Sequence, residues 1–125
     1  MDDLVRAERF YADVLGLEFV SRQEGRHVFF RCGNAMVLLF NPLASRQPST
    51  VGNTPIPLHG AFGPGHVAFA AQEEELPAWA AHLESHGIAI EQTIDWPGGG
   101  RSLYFRDPAG NSLELATPRI WGMGE

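Results

Sequence analysis

Apolar positions recur at two different periods along this chain, and the switches between them lay out its elements. Leu4, Ala7, Phe10, Tyr11, Val14 and Leu15 follow helical spacing. With Asp3 as N-cap and Gly16 as C-terminal stop, a helix is predicted from Asp3 to about Leu15. Period two then takes over, predicting strands over 17–21, 27–31 and Ala35–Phe40, joined by turns at Glu24-Gly25 and Cys32-Gly33-Asn34. Over 41–58, four prolines and small polar residues break every period, so a long connector is expected. Gly60, Gly63, Pro64 and Gly65 then turn the chain sharply into a strand at His66–Ala70. Glu73–Glu75 suit the positive end of a helix and Pro77 its first turn. Leu76, Trp79, Ala80 and Leu83 form that helix's buried stripe, and Gly87 ends it. Residues 88–93 are expected as a strand and 96–100 as a glycine-rich hairpin loop.

The stretch 101–115 carries the clearest alternation. Leu103, Phe105, Leu113 and Leu115 fall on one face, and Ser102, Tyr104, Ser112 and Glu114 on the other, with turn chemistry at Asp107-Pro108-Ala109-Gly110-Asn111 between them. In HVAFA, Val67 and Phe69 point one way and His66, Ala68 and Ala70 the other. A His, a Tyr and a Glu are thereby candidates for one sheet face lined by small residues, and chemistry is expected there. The two halves also repeat one plan. Leu15-Gly16-Leu17 matches His86-Gly87-Ile88, and Phe29-Phe30-Arg31 matches Tyr104-Phe105-Arg106. The second helix follows a strand and the first begins almost at Met1, so the first copy is one strand short. The expectation is a native chain extending upstream by about ten residues, a strand with its connection.

Composition narrows the chemistry. The net charge of −6 argues against nucleic acid and anionic membrane surfaces as partners. All nine basic residues are Arg, so no lysine exists for a Schiff base or a Walker-type phosphate loop. Cys32 is alone and forms no intrachain disulfide, which fits a reducing cytoplasm. Ala35–Phe40 is far too short to span a bilayer, and the acidic N-terminus differs from a signal peptide. His82 and His86 stand four apart on the second helix, a chelating spacing, but off its apolar stripe, where a solvated face is the plainer reading. His27 shares a strand face with Phe29 and Arg31.

The segments RAERFYADVLGLEF, GPGHVAFA and SLYFRDPAGNSLEL together resemble the vicinal oxygen chelate superfamily, which includes glyoxalase I, extradiol dioxygenases, fosfomycin-resistance thiol transferases and bleomycin-binding proteins. The resemblance implies an α+β fold of two βαβββ modules forming a glyoxalase-like open barrel, the first module lacking its N-terminal strand. It divides the single domain, 1–125, into module 1 near 1–41, a linker near 42–61 and module 2 near 62–125. It implies His66 and Glu114 as ligands of a divalent metal ion (Fe, Mn, Zn or Ni). Tyr104 would then act as hydrogen-bond donor or acid to a metal-bound oxygen, with His59, Ser102 and Ser112 as pocket residues or replacement ligands. The alternative reading of His66 and Glu114 is a structural contact, and of Tyr104 a pocket wall.

Two departures from the superfamily pattern stand out. The resemblance implies that the first-module ligand, a groove-facing His, Gln or Glu, belongs on the strand expected upstream. Aligning Gly33 with Gly110 sets Val37 against Glu114, which counts against glyoxalase I proper. The expected function is a metal-dependent enzyme in which the metal, as Lewis acid, chelates neighbouring substrate oxygens, by dioxygenase, lyase or isomerase, or thiol-transferase chemistry. The alternatives are a metal-free drug-sequestering protein and an inactive truncated copy. A homodimer is expected, with Trp121 or the connector near its interface.

Overall fold

Asp3 caps the first helix by accepting a hydrogen bond from the Arg6 N–H at 3.1 Å. This is seen in a computed structural model that describes residue 1 and residues 3–123, so the end of the 117–125 tail lies outside the described residues. The chain forms two units, Met1–Gly63 and Pro64–Glu125. In the first, α1 (Leu4–Arg9) runs on as a π-helical turn, Phe10–Val14, with the Leu15 N–H on the Phe10 carbonyl at 3.2 Å. Over a single turn, apolar spacings of three and four suit α and π geometry alike, which is why the pattern shows only a continuous helix. Ala7, Phe10, Tyr11, Val14 and Leu15 are buried, as are Val28, Phe30 and Leu39 of the sheet. Each large side chain so buried contributes roughly 1.5–3 kcal/mol of transfer free energy.

The first sheet has the order β1 (Glu18–Gln23), β2 (His27–Cys32), β3 (Ala35–Phe40), all antiparallel. Strand β1 sits later than the expected 17–21. A bulge between Phe19 and Ser21 absorbs Val20, and pairing then continues to Gln23 opposite His27. The connector is more ordered than its composition indicates. It holds a one-turn helix, α2 (Pro42–Ser45), capped by Asn41, and a two-strand ribbon, β4 (Thr50–Val51) with β5 (Thr54–Pro55). Elements this short never complete a period, so no periodicity betrays them.

In the second unit, β6 (His66–Ala70) leads through a single 3-10 turn, Glu73–Glu75, into α3 (Leu76–Ser85). Then come β7 (Gln92–Asp95), β8 (Arg101–Arg106) and β9 (Ser112–Ala116), in the sheet order β6-β9-β8-β7. Leu76, Leu83, Leu103, Phe105, Leu113 and Leu115 are its buried core. Strand β7 lies later than the expected 88–93. It pairs only with β8, and the Glu91 N–H on the Tyr104 carbonyl is the last bond on that side, so residues 88–90 lie outside the ladder. Both sheets are open.

Strand β6 lies parallel to β9, with His66 opposite Ser112 and Ala68 opposite Glu114. Among the described residues, no strand covers the corresponding edge of β3. The Met1 ammonium donates to the Phe40 carbonyl at 2.6 Å, as the Ala71 N–H does to Ala116 at 3.1 Å. The register also corrects one expectation. Tyr104 pairs with Glu114, and its counterpart Phe29 pairs with Leu38, whereas Val37 pairs with buried Phe30. The second turn, residues 107–111, is one residue longer than the first, 32–35, and a one-residue slip moves a side chain to the opposite face. Leu38 is therefore the counterpart of Glu114, and the first unit lacks a carboxylate there.

Candidate functional site

The turn at 107–111 sets up the site. Asp107 is buried, and its Oδ1 accepts the N–H groups of Ala109 (3.0 Å) and Asn111 (2.9 Å), while Oδ2 accepts from the Asn111 side chain at 3.0 Å. Asn111 in turn accepts the Gly65 N–H at 2.7 Å, and the Ser112 N–H donates to the Gly65 carbonyl at 2.9 Å. The residue before His66 is thus tied at both backbone groups to the start of β9.

From that anchored position His66 reaches Glu114. Its Nδ1 lies 2.9 Å from the Ser112 carbonyl oxygen and its Nε2 3.1 Å from Glu114 Oε1. A carbonyl only accepts, so Nδ1 carries the proton. In neutral imidazole, Nε2 is then a lone pair aimed at a carboxylate oxygen. Two acceptors face each other stably only around a cation, either a proton on the imidazole or a metal ion bound by both. Adjacent ligands held at about 2.0–2.2 Å from one ion lie roughly 3 Å apart, which the observed separation matches. The Nδ1–H···O=C bond is also the usual orienting contact of a metal-binding histidine. The Glu114 side chain is 8% exposed and that of His66 51%, so the pair is rooted in protein and open on one side.

The other carboxylate oxygen is engaged from beneath. Ser102, fully buried, donates its hydroxyl to Glu114 Oε2 and accepts the Trp96 indole N–H at 2.9 Å. Ser102 therefore orients Glu114, and Trp96 orients Ser102. Trp96 is a contributor that the alternation misses because it stands in the hairpin loop, and only its spacing before Gly98-Gly99-Gly100 marks the place. Replacing Ser102 with Ala strands both the indole N–H and a carboxylate oxygen. We expect a loss of about 1–3 kcal/mol in chemical denaturation, and an unchanged midpoint would remove Ser102 from this role.

Tyr104 stands opposite Glu114, its ring centroid 6.3 Å from that of His66 and the planes 22° apart. Burial, and then the negative charge of Glu114, raise its phenol above the ordinary tyrosine range, so at neutral pH Tyr104 is a donor and not a base. With Ser112, Arg106, Gln92, Ile94 and Glu91 it lines a cleft of about 300 Å³. Arg106 is held there by Glu91 (2.7 and 3.1 Å) and the Gly110 carbonyl. Ser112 enters the His66 contact through its backbone carbonyl. His59 belongs to the first unit, where its backbone bonds Ser45 and its ring packs edge-on to Phe40 at 4.5 Å. A larger cleft of about 790 Å³ in that unit is lined by charges of both signs, among them Arg6, Glu8, Arg9 and Arg22. Among the described residues, no group of three or more His, Cys, Asp or Glu side chains is placed around one ion position, so His66 and Glu114 stand as a pair.

A repeated α+β module with an open sheet and a histidine–carboxylate pair on the neighbouring strands β6 and β9 defines a class of protein. The chain belongs to the Glyoxalase/Bleomycin resistance protein/Dioxygenase superfamily, whose pattern matches residues 1–115. It is 46% identical to a crystal structure of lactoylglutathione lyase from Agrobacterium tumefaciens, covering 98% of this chain and 90% of that one, with a TM-score of 0.90. It is 37% identical over 57 residues to the metallothiol transferase FosB of Bacillus licheniformis, a match spanning 45% of this chain and only 37% of that relative. The fold is also that of the fosfomycin resistance protein FosX from Listeria monocytogenes, solved with Mn(II) and sulfate. That likeness has a TM-score of 0.66 at 19% identity over 94% of this chain and 82% of the other. Among the described residues, no helix is long and apolar enough to cross a membrane.

Proposed function

We propose that this chain is a metal-dependent enzyme acting on a small molecule with neighbouring oxygen atoms, and that His66 and Glu114 hold the metal. The observation that carries this reading is His66 Nε2 standing 3.1 Å from Glu114 Oε1, with Nδ1 already committed to the Ser112 carbonyl. Imidazole plus carboxylate suits Fe, Mn, Zn or Ni. The metal would supply Lewis acidity toward oxygen atoms that gain negative charge. Ser102 and Trp96 hold the carboxylate in one orientation. The Tyr104 phenol, protonated at neutral pH, donates a hydrogen bond to a substrate oxygen. Arg106 and Ser112 line the space beside it.

The test is thermal. Added Mn(II), Ni(II), Fe(II) or Zn(II) is expected to raise the melting temperature, EDTA to reverse the rise, and His66→Ala to abolish the component due to this site. A wild-type protein indifferent to all four ions would favour the metal-free, drug-sequestering alternative. Lyase chemistry is favoured by the 46% identity to the Agrobacterium protein and opposed by Leu38 where a second carboxylate would stand. Direct assay for lactoylglutathione decides between them. The proposal includes a cytoplasmic homodimer. Trp121 is 61% and Val51 70% exposed, large apolar groups of the kind an interface covers. Light scattering at micromolar concentration is expected to give twice the chain mass, and a monomeric mass would exclude the dimer.

A further inference from the structure

The C-terminal end of α3 carries a second pair of imidazoles. His82, half-buried, and His86, exposed, stand one helical turn apart, with ring centroids separated by 4.6 Å and planes at 60°. Two imidazoles bound side by side to one ion, with metal–nitrogen distances of about 2.0–2.1 Å, bring their centroids to about 4.5–5 Å. The observed separation already lies in that window.

The backbone beneath the pair is fixed. The His86 N–H bonds the His82 carbonyl at 3.2 Å, the Gly87 N–H that of Glu84 at 3.0 Å, and the Ile88 N–H that of Leu83 at 2.9 Å. Gly87 at φ 73° completes a Schellman termination, so the last turn is not a fraying end. Trp79 packs edge-on against the His82 ring at 5.7 Å and restricts its rotamers. A cation at this end also meets the negative pole of the helix dipole.

The geometry points to a surface site for one divalent transition ion of the imidazole-preferring class, Cu(II), Ni(II) or Zn(II), chelated by His82 and His86 with water completing its shell. Cu(II) binds tightest by the general affinity order, and Mg(II), which prefers oxygen ligands, is excluded. The bound ion clips the last turn of α3 to its cap. This site shares no residue with the His66–Glu114 pair, so the two stand or fall separately.

The test uses the full chain, isotope-labelled and titrated with Cu(II) alone at neutral pH, with Mg(II) as control. Paramagnetic broadening is expected first in the amide signals of residues 79–87, with none from Mg(II). His82→Ala and His86→Ala are each expected to remove that broadening, and His66→Ala to leave it in place. His86 is exposed, so the metal-free melting temperature of His86→Ala should match the wild type and exclude misfolding. Broadening at 79–87 that survives in the His82→Ala/His86→Ala double variant would overturn the proposal. So would wild-type broadening confined to other histidines.

Discussion

Glu114→Gln is expected to give a folded protein that has lost divalent-metal binding at the His66 position. The physical reason lies in what glutamine keeps and what it drops. Its carbonyl oxygen still accepts the Ser102 hydroxyl, and its NH₂ donates to the His66 Nε2 lone pair, so every polar group stays paired without a cation. Only the negative charge is gone. Stability should therefore change little, while metal affinity falls by more than the roughly 10–100-fold cost of losing an outer-shell partner. Any metal-dependent turnover is lost with it. Glu114→Ala differs, because it leaves the buried Ser102 hydroxyl without its acceptor and costs about 1–3 kcal/mol as well. Calorimetric metal titration beside a denaturation curve separates the two effects. Wild-type metal affinity in Glu114→Gln would mean that the pair is a structural contact.

Asp107→Ala should be the most destabilising polar substitution at the turn. Asp107 is 5% exposed and accepts three hydrogen bonds, from two backbone N–H groups and the Asn111 side chain. Bonds to a charged acceptor contribute about 1.5–3 kcal/mol each, and partial relaxation leaves an expected loss of roughly 3 kcal/mol. For a domain of this size that is a fall of roughly 10 °C in melting temperature. The effect should reach the site, because Asn111 passes the constraint to Gly65 and Gly65 precedes His66. Asn111→Ala, with a smaller stability loss, should still weaken metal binding. A full-affinity site in Asn111→Ala would show that the turn stabilises the hairpin without positioning His66.

Much of this molecule is determined by its sequence alone. Strands β3 and β6 fall where the pattern puts them, because apolar stretches of five or six residues that follow a glycine turn are too short for a helix and long enough for a strand. The faces of the 101–115 hairpin follow from a period of two, which assigns Phe105 to the core and Glu114 to the opposite side. What only the tertiary structure decided are facts about neighbours. Strand β7 begins where β8 offers partners, so the apolar pattern over 88–90 does not lengthen it. Leu38, and not Val37, corresponds to Glu114 because turn length sets register, and glycine alignment is blind to a one-residue slip. Above all, no spacing along the chain reveals that Nδ1 of His66 is spoken for by a carbonyl 46 residues away, or that Trp96 and Ser102 hold the carboxylate from beneath. Alternation tells which way a side chain points, whereas its protonation and its aim depend on hydrogen-bond partners that only the folded sheet brings together.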